Sequence, residues 1–158
     1  MGLAITIQEF LDDRCLPYDI VTHDKTLSSA ATAHASAVPE DNLAKGVLIR
    51  RKDGYLLAVV PASAHVELDK IGAWLKQPVG LATEEEVASI FDDCERGAVP
   101  PVPAAYGLNA VVDESLEGFR DIYLEGGDHC TLVHLTGGTF HRLMAKYPHA
   151  RVSARGPE

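Results

Sequence analysis

No stretch of this 158-residue chain approaches the roughly 18 consecutive apolar residues that a membrane-spanning helix needs. The first residues hold no basic segment followed by an apolar core, so no secretory signal is expected and a cytoplasmic location is the default. Cysteine is scarce. Cys15, Cys94 and Cys130 are an odd count and lie far apart, which argues against a disulfide framework and fits a reducing compartment. Positive charge is in deficit: 14 Lys and Arg against 23 Asp and Glu leave a net charge of −9. That balance argues against a protein that grips nucleic acid over a broad surface.

Familiar hydrolase and metal signatures are missing as well. There is no C-x-x-C and no H-E-x-x-H. Cys130 and His134 share one face of an expected strand, and His129 falls on the other. No metal site follows from that spacing. A serine hydrolase would need a G-x-S-x-G elbow, which is absent. Cys94 lies between Asp93 and Glu95, whose charges raise a thiol pKa and weaken a nucleophile. Cys15 and Cys130 look like core residues.

What remains is an ordinary globular composition, 46% hydrophobic and 23% charged. The length suggests one domain over residues 1–150, large enough to bury its own core, followed by a polar, basic tail at 151–158 expected to fray. Charge is unevenly spread. Residues 42–76 carry six basic side chains against three acidic, whereas residues 77–128 carry twelve acids against two arginines. A local basic patch around Lys45 on an acidic body is therefore an expectation, set against ordinary solvated charge. A polyanion bound there would neutralise few phosphates and show a shallow salt dependence.

Thr6 and Glu9 have the spacing of a capping box, with Ile7, Phe10 and Leu11 forming the apolar face of a first helix that Pro17 ends. Tyr18–His23 alternates like a strand. Ser28 to Ala37 reads as a short helix closed by Pro39. Gly46–Arg50 and Tyr55–Val60 form a hairpin turned by Asp53-Gly54. Both strands are apolar on successive residues, so burial on both faces is expected, with Lys45 at the mouth of a core strand. Leu68, Ile71, Trp74 and Leu75 mark a helix. Thr83 and Glu86 form a second capping box ahead of Val87, Ile90 and Phe91. Ala110–Val112, Asp121–Leu124 and Cys130–Leu135 are further strands, the last two joined across Gly126-Gly127. Phe140, Leu143, Met144 and Tyr147 close the chain on one helical face. Interspersed strands and helices give an α+β fold.

Two pieces of this chain can carry chemistry. Gly97 lacks a Cβ and lets a ligand approach its backbone, while Pro100 and Pro101 restrict the loop that follows. Such a pre-ordered turn can present amides to a developing oxyanion. A plain connecting loop is the alternative. Lys45 can act as a point charge on a phosphate or ester, or as a base if desolvated, with the point charge favoured. A solvated surface lysine is the alternative there.

In order along the chain stand His23 with the Ser28-Ser29 helix start, Ala44-Lys45-Gly46-Val47, Leu57-Ala58-Val59-Val60-Pro61, Asp92-Asp93-Cys94-Glu95-Arg96-Gly97-Ala98-Val99-Pro100-Pro101 and Val112-Asp113-Glu114-Ser115-Leu116. This series, spanning roughly residues 18–145, resembles the YbaK/ProX family of aminoacyl-tRNA deacylases, similar to the editing domain of bacterial prolyl-tRNA synthetase. The resemblance implies a mixed, curved, barrel-like sheet flanked by helices and no metal or organic cofactor. It implies trans-editing: hydrolysis of the 3′-ribose ester of mischarged tRNA, on the pattern of tRNA-Pro carrying Ala, Cys, Ser or Thr. Lys45 would be the key functional residue. Gly97, Ala98, Val99, Pro100 and Pro101 would form the substrate loop, with His23 at the pocket. The partners implied are the acceptor end of aminoacyl-tRNA and prolyl-tRNA synthetase. A non-catalytic module binding aminoacyl ligand or tRNA alongside that synthetase is the alternative. Gly46 departs from the β-former or small residue expected after the lysine, and His65 is a second position where subfamilies differ.

Overall fold

A computed structural model describes residues 2–26 and 28–156. Helices are α1 (Ile5–Asp13), α2 (Ser29–Ala35), α3 (Leu68–Leu75), α4 (Glu84–Ile90) and α5 (Gly137–Met144). Strands are β1 (Asp19–Thr22), β2 (Leu43–Arg51), β3 (Gly54–Pro61), β4 (Ala64–Val66), β5 (Gly80–Leu81), β6 (Asn109–Asp113), β7 (Asp121–Glu125), β8 (Thr131–Thr136), β9 (His149–Ala150) and β10 (Ser153–Arg155). The main sheet runs β1-β8-β7-β2-β3-β6-β9, with β5 also paired to β2. The joins β7/β2, β3/β6 and β6/β9 are parallel, and the others along the path are antiparallel. The expected α+β fold, a mixed sheet flanked by helices, is the one observed.

Alternation places the apolar runs on two faces. Leu48, Leu57, Val59, Ala110 and Val112 join one core with Ile7 and Leu11 of α1 and Phe140 and Met144 of α5. Their neighbours Ile49, Leu56, Ala58, Val60 and Val111 join another beneath Ile71 of α3. This two-sided burial is why β2 and β3 read as nearly continuous hydrophobic sequence. The hairpin turn lies one residue earlier than expected: Arg51 pairs with Gly54, leaving Lys52 and Asp53 as the loop. Lys45 is the third residue of β2, inside the strand opposite Val60 and not ahead of it. The basic run Arg50–Lys52 lies at the far end of β2, about 20 Å from Lys45 at ~3.3 Å per residue. Arg50, Arg51 and Lys52 are therefore not gathered around the lysine.

Helix starts divide into local and distant solutions. The Thr83–Glu86 capping box forms in full at α4. Ser28 caps α2 by accepting from Ala31 N. The expected Thr6–Glu9 box does not form. Helix α1 begins at Ile5, and Ala4, two residues ahead of Thr6, takes the cap position with no side-chain cap. The Thr6 N–H instead donates to Asp93 Oδ2 at 2.9 Å, a carboxylate supplied from 87 residues away. That bond satisfies an orphan amide of the first turn and ties α1 to the segment before Gly97.

Over its described residues, 151–156, the tail is not frayed. Strand β10 pairs with β4, and β9 extends the main sheet beside β6. Val152 is 1% exposed, and its N–H donates to Asp113 Oδ1 at 2.8 Å. Asp113 also accepts from Ser115 N and the Ser115 hydroxyl through Oδ2. A buried acid with this many donors acts as a clasp, and local polarity at 151–156 gave no sign of it. Cys15, expected in the core, is exposed in a left-handed turn after α1.

Candidate active site

The start of β2, the first turn of α2, the end of β7 and the Gly97 loop surround a cavity of about 340 Å³. Lys45 and Gly46 come from β2, Ser28, Ser29 and Thr32 from α2 and its cap, and Gly97 and Val99 from the loop. Glu125 and His129 complete the polar lining, and Ala44, Ala62 and Leu132 supply apolar wall. A point charge, a backbone turn and an acid thus meet around a space of small-ligand size.

The loop is held by its neighbours rather than by prolines alone. Glu95 N donates to Gly127 O at 2.8 Å, and Ala98 N to Glu95 O at 3.0 Å. The His129 Nε2–H donates to Arg96 O at 2.5 Å, which fixes the ring tautomer and sets the peptide just ahead of Gly97. Gly97 has φ +79°, a conformation that favours glycine. An added Cβ there would meet only Cε1 and Nε2 of His129, at 3.6 and 3.8 Å, so conformation, and not space, calls for glycine. Gly46 is the reverse case. A Cβ on it would lie 3.0 Å from Val99 Cγ1 and 3.2 Å from Leu57 Cδ1. The departure at Gly46 therefore lets the loop lie against β2. His65, the other noted position, reaches Gly156 O and belongs to the tail contact.

Of the expected loop residues, Gly97 and Val99 line the cavity. Ala98, Pro100 and Pro101 are buried and support them from behind. His23 is not in the lining. Its Nδ1–H donates to Asp24 O at 2.6 Å, while Nε2 is buried without a partner among the described residues. The His23 backbone runs beside the site, donating from N to Cys130 O. Glu125 and His129 were not singled out in sequence. By sequence Glu125 falls between the expected strand Asp121–Leu124 and the Gly126-Gly127 turn, and His129 on the strand face opposite Cys130 and His134. In fact His129 precedes β8 with φ +63° and is 6% exposed.

The acids differ in environment. Burial pushes the Glu125 carboxyl up, against the Gly127 amide and His129, with Asp128 adding to the rise. Burial acts the same way on Asp93, but the Thr6 amide and hydroxyl, the Tyr106 hydroxyl and the Cys94 thiol outweigh it and hold the carboxyl below its usual range. The Cys94 thiol is pushed up to about 12, first by burial, which leaves no useful thiolate near neutrality. Cys94 lines a second cavity of about 420 Å³ behind the loop, bounded by Leu48, Ala82, Val87 and Phe91 and sharing Gly46, Val47, Gly97 and Val99 with the first. Among the described residues, no three His, Cys, Asp or Glu side chains are grouped to hold a metal ion. No helix among them is long and apolar enough to cross a membrane.

Several solved structures share this fold. One, described provisionally as a trans-editing enzyme for prolyl-tRNA synthetase, is 24% identical with a TM-score of 0.82, covering 96% of each chain. A protein described only as hypothetical is 22% identical with a TM-score of 0.82, over 94% of this chain and 99% of that one. A Marinobacter aquaeolei protein described provisionally as a signal transduction protein is 18% identical with a TM-score of 0.79, over 96% of this chain and 31% of that one. None of the curated protein sequences matches this chain. The model of the aminoacyl-tRNA editing domain matches residues 23–143, a span that holds Lys45, the Gly97 loop, Glu125 and His129. With the site and most of the sheet inside that match, the chain belongs to the aminoacyl-tRNA editing domain family, whose activity is deacylation of aminoacyl-tRNA.

Proposed function

We propose that this protein is a trans-editing hydrolase that removes a small, wrongly attached amino acid from the 3′ end of tRNA-Pro. The observation that carries this reading is the meeting of Lys45 and Gly97 on the lining of one cavity of about 340 Å³. The structure described as a trans-editing enzyme for prolyl-tRNA synthetase supports the choice of tRNA. Alanine, cysteine, serine and threonine are the candidate cargoes, as the resemblance to YbaK/ProX deacylases implies.

In this reading Lys45 is a point charge that orients the 3′-terminal nucleotide, and the Gly97 turn receives the aminoacyl carbonyl. Water adds to the carbonyl carbon, the bond from that carbon to the ribose oxygen breaks, and the ribose oxygen takes up the proton. Free amino acid and intact tRNA leave. The Cys94 thiol stays out of the reaction: it is pushed up to about 12 and lies off this cavity's lining. The partners are the acceptor end of the tRNA and prolyl-tRNA synthetase, which would hand the tRNA over. Ala98, Pro100 and Pro101 act by holding Gly97 and Val99, and His23 by holding the neighbouring strand.

The test is a deacylation panel at catalytic protein concentration, with tRNA-Pro charged with alanine, cysteine, serine, threonine or proline. Turnover on one or two mischarged species, sparing proline and lost in a folded Lys45→Ala variant, is the expected outcome. Equal turnover in Lys45→Ala would remove the lysine from the mechanism. A protein that binds one equivalent of ligand without turnover would instead be a binding module.

A further inference from the structure

Resting on the deacylase reading of this cavity, we propose that Glu125 is the subsite for the α-ammonium group of the bound aminoacyl ester. An aminoacyl ester differs from a plain ester by one cation next to the carbonyl. Drawing that cation out of water is costly unless a partner charge receives it. Among the described residues lining the cavity, Glu125 supplies the one carboxylate.

The position fits the ligand. Ala44 of β2 pairs with Leu124 of β7 in parallel register, so the next residues along the two strands are Lys45 and Glu125. Neighbouring strands are about 4.8 Å apart. The backbones of Lys45 and Glu125 therefore leave the paired ends of the two strands side by side, and both residues line the cavity that would hold the aminoacyl unit. Gly127 N–H holds Oε2 of Glu125 at 2.8 Å, which orients the carboxyl without neutralising its charge. The other polar groups are less suited. The His129 Nε2–H is committed to Arg96 O, and Lys45 repels a cation. Burial raises the proton affinity of Glu125, and an incoming ammonium adds a positive charge that favours the ionised carboxylate.

The consequence is a substrate class: esters with a free α-amine, not esters whose nitrogen is already acylated, as in a peptidyl-tRNA. An N-acyl group removes the cation and adds bulk beside Glu125 and Thr32.

The test avoids turnover. Two stable adenosine 3′-amides are titrated calorimetrically, one carrying alanine and one carrying propionic acid, which has the same carbons without the amine. Wild type should bind the alanyl amide about 10–100-fold more tightly, the range of a charge-assisted hydrogen bond. Glu125→Gln should lose that preference while binding the propionyl amide as before. Glutamine keeps an oxygen for Gly127 N–H, so the fold has no reason to fail. Should it fail, the wild-type comparison still decides, together with N-acetylalanyl amide, which should bind no better than the propionyl compound. Equal binding of all three by wild type, or a preference that survives Glu125→Gln, would overturn the proposal. A Glu125-dependent preference in a protein that never hydrolyses the ester would uphold this subsite and sink the deacylase reading.

Discussion

Val99 Cγ1 stands 3.0 Å from the point a Cβ on Gly46 would occupy, so the Gly97 loop and strand β2 touch through a missing side chain. Pro101 Cα lies 3.5 Å from the same point. This contact is also the wall between the two cavities that share Gly46, Val47, Gly97 and Val99. The first prediction follows from it. Gly46→Val inserts three carbons where one is already tight, and over-packing of this kind costs about 1–3 kcal/mol. Deacylation should fall by a larger factor than stability suggests, because the displaced element carries Gly97. Thermal midpoints and kcat/KM measured together check this. A variant with normal turnover would show that the loop position is not critical.

The tail clasp predicts a stability effect far from the cavity. Asp113 is 2% exposed and accepts from Val152 N, Ser115 N and the Ser115 hydroxyl. Asp113→Ala leaves buried donors unmet, at about 1–3 kcal/mol for such a group. Urea unfolding should show that loss, with proteolytic sensitivity appearing at residues 149–156. An unchanged unfolding midpoint would mean the pairing of β9 and β10 holds the tail without the carboxylate.

Two acids predict pH effects of opposite sign. Asp93 has a lowered folded pKa, so its stabilisation is complete above its unfolded value, about 3.9, and is lost as pH falls below that. Asp93→Asn should therefore cost stability at pH 7 and progressively less as pH falls below about 3.9. Glu125 has a raised folded pKa, near Lys45, Asp128 and His129, so the folded state takes up its proton more readily than the unfolded state, whose value is about 4.3. Its ionised form opposes folding above the folded pKa, and that penalty is relieved as pH falls toward the unfolded value. Glu125→Gln should be neutral or stabilising at pH 7, with the gain shrinking on acidification. Denaturation curves across pH 3–8 would separate the two, and parallel profiles for both variants would refute the assignment.

The cysteines should differ in reactivity. Cys15 is exposed, whereas the Cys94 thiol is half-buried, bonded to Tyr106 and Asp93, and pushed up to about 12. Iodoacetamide at pH 8 should modify Cys15 first and spare Cys94. Cys94→Ala should keep deacylase turnover within a few-fold. A dead Cys94→Ala with an intact fold would reopen nucleophilic catalysis by cysteine.

Much of this protein is local in origin. The capping box at Thr83 and Glu86, the Ser28 cap, the two-sided apolar runs of β2 and β3 and the helix through Ile71 depend on residues a few positions apart, and sequence periodicity expresses them directly. The family pattern along Lys45 and Gly97–Pro101 is of the same kind, since it is a statement about order along the chain. Tertiary structure decided what depends on distant partners. Asp93 displaced the Thr6–Glu9 cap because a carboxylate 87 residues away reaches the Thr6 amide. Asp113 turned a polar tail into a clasped pair of strands. Glu125 and His129 entered the site because a parallel join sets β7 beside β2 and a left-handed residue turns the ring toward Arg96. A strand's own sequence says which face a side chain takes, but not which strand lies beside it, and that neighbour is what makes a glutamate part of a binding site.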